Sequence, residues 1–114
     1  MKTYVIECAD DLKHVTSKWL VRDIRQKGNI NYGFETKKDA LKFVYNIITK
    51  NYQNKKNGNI IGLLKLTKMP YNPKKPIQWE IGWYNGHPAY YTDDYWAKGF
   101  YRIMSDGTVK AVDD

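Results

Sequence analysis

Residues 18–48 read KWLVRDIRQKGNINYGFETKKDALKFVYNII, and a change of period inside this stretch decides the fold. In Lys18 to Arg25, Trp19 and Val21 alternate with Leu20 and Ile24, the period of two that a strand requires. Gly28-Asn29 turns the chain, and Ile30, Tyr32 and Phe34 alternate again as a further strand. The period then lengthens. Ala40, Phe43, Val44, Ile47 and Ile48 recur at three and four residues, so they share one stripe of a helix. Thr36 is placed as its N-cap, with Asp39 three residues on in the form of a capping box. Lys37, Lys38, Lys42, Asn46 and Lys50 fall largely on the opposite side. Two strands followed by an amphipathic helix of about sixteen residues predict a helix laid across a sheet.

Working outward, Thr3 to Cys8 alternates as a strand, and Asn59 to Met69 is a strand rich in Ile and Leu with a bulge expected at Gly62. Pro70, Pro73 and Pro76 exclude a helix or central strand between them, so residues 70–76 are an irregular loop. Ile77, Trp79, Ile81 and Trp83 alternate, and Asn85-Gly86 marks a tight hairpin whose returning strand carries Pro88, as an edge permits. Asp93 to Lys98 reads as a helical turn, and two last strands pair across Ser105-Asp106-Gly107. The expected fold is one α+β domain spanning residues 1–114, with five to seven mostly antiparallel strands and a main helix at about 37–52 on one face.

Composition narrows the function. Length and an apolar content of 42% are enough for one core. No run reaches the ~18 apolar residues of a membrane span. The first residues do not form a signal peptide, and Cys8 is the sole cysteine, so a cytoplasmic location is expected. Abundant Lys, Asn, Ile and Tyr, all with AT-rich codons, point to a low-GC bacterium or its phage. A net charge of +7 favours an anionic partner. The charge collects at Arg22-Arg25-Lys27, Lys37-Lys38-Lys42, Lys50-Lys55-Lys56 and Lys65-Lys68-Lys74-Lys75, whereas the chain from Asp93 on is nearly balanced. A single basic face built by the first two thirds is therefore expected. Catalytic groups are sparse: His14 and His87 sit in no nucleophile or metal motif, and Asp10-Asp11 and Asp93-Asp94 could bind a cation, though adjacent acids in loops usually serve as caps or solvated turns. The chain is expected to bind rather than catalyse, with no cofactor and no metal.

The stretch 18–48 resembles the arm-type, AP2-like DNA-binding domain of phage and transposon integrases, through Trp19, Val21, Gly28, Gly33, Phe34, Thr36, Lys37, Lys38 and Ala40. The resemblance implies a small sheet entering the major groove with the helix behind it. Arg22, Arg25, Lys27, Asn29 and Asn31 would then face DNA, where Arg and Asn suit base edges, and Lys37 and Lys38 would reach phosphates. No integrase catalytic domain follows, so recombinase activity is not implied. The function expected is that of a DNA-binding accessory protein of a phage, mobile element or low-GC bacterium. The alternative is a protein-binding module, such as a phage-encoded inhibitor of a host nuclease or defence complex. Its anchors would be Trp79, Trp83, Tyr90, Tyr91, Tyr95 and Trp96, since Trp and Tyr dominate interface hot spots. Oligomeric state is not legible in the sequence.

Overall fold

The computed structural model describes residues 5–8, 15–23, 30–52, 59–75 and 77–112. Its elements are β1 (Val5–Cys8), β2 (Trp19–Asp23), β3 (Ile30–Phe34), α1 (Lys37–Asn51), β4 (Asn59–Lys68), β5 (Gln78–Tyr84), β6 (His87–Thr92), β7 (Gly99–Ile103) and β8 (Val109–Ala111). The strands form one sheet in the order β1-β3-β2-β4-β5-β6-β7-β8, every neighbouring pair antiparallel. The α+β class is as expected. The strand count is one above the expected range, because every alternating segment down to the three residues of β8 joins the same sheet.

Sequence order is broken among the first four strands, where β3 lies between β1 and β2. β2 lies between β3 and β4, so these two run parallel and α1 crosses the sheet between them. Thr36 caps the helix in extended conformation, its Oγ1 accepting from the Asp39 amide at 3.1 Å. The stripe that seats α1 is Ala40, Leu41, Val44 and Ile48, each at most 2% exposed. It is rotated slightly from the expected one. Leu41 replaces Phe43 and Ile47 at the centre, because Phe43 sits at the margin against the rings of Tyr32 and Phe34. The sheet side is built by Val21, Leu64, Leu66, Ile81, Trp83, Tyr90 and Ile103. Burial of such side chains contributes about 1.5–3 kcal/mol each.

Both special backbone sites expected in the strands are present. Asn85, at φ 50°, and Gly86 make the tight turn between β5 and β6. In β4, four steps from Ile60 to Leu64 span only two of β5, and Gly62 takes φ 97° within this bulge. Tyr52 ends the helix and ties it to the sheet. Its amide donates to the Ile48 carbonyl at 3.1 Å, its hydroxyl donates to the buried carboxylate of Asp23, and its carbonyl accepts from the Trp83 indole.

Two stability outcomes follow. At Gly107, φ is 87° and an added Cβ would overlap the Lys38 carbonyl oxygen, whereas Gly62 has open space around the same position. Gly62→Ala should cost about 1–2 kcal/mol, from its left-handed backbone alone, and Gly107→Ala distinctly more, in urea unfolding. Tyr52→Phe should cost about 1–3 kcal/mol, because it takes a donor from the buried Asp23 carboxylate.

A candidate anion site at the start of the helix

Antiparallel pairing places Phe34, Trp19 and Lys68 in one row at one end of the sheet. Only two residues separate the end of β3 from α1, so Lys37, the first residue of the helix, lands over this row. Trp19 and Trp79 stack there with ring centroids 5.5 Å apart, and Tyr90 meets Trp79 edge-on at 6.2 Å. The Lys37 ammonium lies 4.9 Å from the Trp79 and Tyr90 centroids and 6.0 Å from that of Trp19. It donates to the Tyr90 hydroxyl at 3.2 Å. Lys68 approaches Trp19 as well, at 6.0 Å.

The electrostatics are one-sided. Burial lowers the Lys37 pKa from its ordinary 10.5, and the positive charge of Lys68 lowers it further. Burial, and then Tyr101, push Tyr90 up to about 12. Among the described residues no carboxylate pairs with Lys37 or Lys68. Both lysines also lie by the N-terminal end of α1, where the helix dipole is positive and disfavours cations. Ring faces offset part of this cost, at about 0.5–2 kcal/mol for a cation–π contact. What remains is a concentration of positive potential that an anion would relieve.

The expected single basic face is not what the fold makes. Arg22 and Lys65 stand directly opposite each other across β2 and β4, on the side of the sheet away from α1, whereas Lys37, Lys38, Lys42 and Lys50 belong to the helix. Arg25, Lys27 and Asn29 lie outside the described residues. Asn31, expected to face DNA, is instead 2% exposed, and its Nδ2 has no hydrogen-bond partner among the described residues. Its neighbours on that face, Leu20 and Gly33, are buried too, so this end of the sheet is covered. Arg22 is half-buried and already engaged in a contact. Lys38 is exposed and helps to hold the Asp106 carboxyl below its usual range, after the stronger effect of the Thr108 hydrogen bonds.

The alternative anchors also separate. Trp83 and Tyr90 are core residues, at 1% and 4% exposed, and Trp79 is half-buried in the lysine cluster. Tyr91 lies on the far face against Phe100, at 4.9 Å. Tyr95 and Trp96 alone are presented to solvent, at 82% and 90%. Nothing local in the sequence marks Trp19 and Lys68 as partners in one site. Only the pairing of β2 with β4 brings them together. Among the described residues, no three His, Cys, Asp or Glu gather as metal ligands, and no helix is long and apolar enough to cross a membrane. No family model matches the chain, and neither a curated protein nor a solved structure matches it.

The opposed shifts of Lys37 and Tyr90 have a signature in pH. Lys37 binds its proton less tightly when folded, so its cost to stability is present at neutral pH and is relieved as pH rises toward 10.5. Tyr90 binds its proton more tightly when folded, so its contribution holds below pH 10 and is lost between 10 and about 12. In denaturant titrations, Lys37→Met should flatten the rise on approach to pH 10.5, and Tyr90→Phe should flatten the fall above pH 10.

Proposed function

We propose that this protein binds nucleic acid, and that the contact is made at the start of α1 by Lys37 and Lys68 over the Trp19–Trp79 pair. One observation carries the reading. Two lysines converge on one aromatic cluster, with no carboxylate partner among the described residues, at the positive end of a helix. An intramolecular role alone would be served by one cation, and a second adds repulsion. A phosphate between the two ammonium groups would turn that repulsion into attraction. Half-buried Trp rings beside lysines are the combination that nucleic-acid grooves use for stacking and backbone neutralisation. Lys38, one residue along the helix, extends the positive region. As an accessory protein, the chain would need no catalytic group of its own.

The alternative, a protein-binding module, now rests on Tyr95 and Trp96, because the other aromatic candidates are packed. Asp93 and Asp94 stand beside that pair and would repel phosphate. The two readings therefore use different surfaces.

The test is fluorescence anisotropy with labelled single-stranded and duplex DNA across a salt series. The wild type should bind at low salt, with affinity falling linearly in log–log form. Lys68→Ala, at an exposed position, should weaken binding and reduce the slope by about 0.7–0.9, the contribution of one neutralised phosphate. Lys37→Gln should act in the same direction, and Tyr95→Ala with Trp96→Ala should leave binding unchanged. Absence of binding at ~50 mM salt, where electrostatic affinity is highest, or an unaltered slope in Lys68→Ala, would refute the proposal.

A further inference from the structure

We infer that Trp96 of one copy of this chain seats in the cavity at the opposite end of β6 and β7 of a second copy, so that the protein associates head to tail. The inference does not depend on the nucleic-acid reading, since it uses neither Lys37 nor Lys68.

The projecting part is a rigid turn. Thr92 Oγ1 accepts from the Asp94 amide at 3.1 Å, the Ala97 amide donates to the Asp94 carbonyl at 3.0 Å, and the Tyr101 hydroxyl donates to the Ala97 carbonyl at 2.7 Å. Held at three points, this turn presents Tyr95 and Trp96 edge-on to each other, centroids 4.8 Å apart. A soluble surface scatters single apolar residues but rarely pairs two large aromatic rings in full exposure. With only two χ angles each, such rings are inexpensive to immobilise on binding.

The receiving part is a cavity of about 240 Å³ between the second half of α1 and the turns that follow β5 and β7. The lining is more polar than apolar: Thr49, His87, Arg102 and Ser105 stand around it, and Tyr45 and Pro88 add apolar surface. In size alone, a cavity of roughly 150 Å³ is enough for benzene. The nine ring atoms of indole scale from its six to roughly 225 Å³, so the volumes correspond. The charges correspond as well. Asp93 and Asp94 precede the Trp96 ring, while the cavity lining holds an arginine, a histidine and no acidic residue.

Geometry excludes self-filling. β6 runs from His87 at the cavity end to Thr92 at the projecting end, about 20 Å at the rise of a strand. Knob and cavity therefore lie on different surfaces, and the contact is heterologous, growing beyond a dimer unless the rotation closes a ring. Two aromatic side chains bury about 300–500 Å², short of the roughly 800 Å² per partner of a stable interface. The association is accordingly weak and concentration-dependent.

Sedimentation velocity over a concentration series tests this with two variants at exposed positions. Trp96→Ala removes the knob, and Ser105→Trp fills the mouth of the cavity; circular dichroism checks that both fold. The weight-average mass of the wild type should climb past that of a dimer as concentration rises. Each variant alone should associate at least about thirtyfold more weakly, the effect of losing an interface hot spot. An equimolar mixture retains one intact knob and one intact cavity, so it should form a 1:1 dimer and nothing larger. The inference fails if the wild type stays monomeric to about 1 mM, the weakest association this scale resolves. It fails too if either variant associates like the wild type, or if the mixture stays monomeric.

Discussion

The arrangement depends on how one helix is held at both ends against a sheet that is otherwise a plain antiparallel succession. Along its length α1 contributes Ala40, Leu41, Val44 and Ile48 to the core, and apolar burial of that kind is strong but non-directional. Direction comes from the ends. Tyr52 fixes the last turn through three polar contacts, to Ile48, Asp23 and Trp83, which belong to the helix, β2 and β5. Lys37 fixes the first turn among rings contributed by β2, β5 and β6. A helix pinned by polar groups at each end has one orientation on the sheet, whatever latitude its apolar stripe allows.

The two pins differ in what they cost. At Tyr52 a buried carboxylate acquires a donor and a buried indole acquires an acceptor, so each group is satisfied by another. At Lys37 a cation is desolvated, placed near a second cation and set at the helix end whose dipole opposes it. Aromatic faces soften that placement without neutralising it. Such an imbalance at one end of the helix is the kind of local inconsistency that functional sites display.

Local chemistry was legible in the sequence wherever one residue type carries the geometry by itself. Thr36 with Asp39 announced the helix start, Asn85-Gly86 the hairpin, and Gly62 the bulge, because each meets a backbone demand that few residues can meet. The site was less legible, because its members come from strands far apart in the chain. Lys68 read as one cation in a run, and Trp19 as one position in an alternation. Asn31 misled for a related reason. Alternation identifies two faces of a strand without saying which face is covered, so a polar residue reads as solvent-facing although the fold buries it. Tyr90 and Trp83 show the converse, since aromatic residues serve cores and surfaces equally well. Asp23, which as a member of a DNA-reading strand would have repelled phosphate, lies on the helix side as the acceptor for Tyr52.

The close approach of Gly107 to the carbonyl of Lys38 bears on the order in which the chain acquires its shape. The seat of the helix includes Tyr90 and Ile103, and the turn at Gly107 closes against its first two turns. A helix formed near residue 40 thus waits for segments some fifty to seventy positions downstream before its lodging is complete. Contacts of such separation slow folding, since the loop entropy is lost before the packing that compensates for it is gained. During synthesis, α1 would emerge with β2 and β3 to pack against and would complete its seat only after β7 and the turn beyond it had left the ribosome.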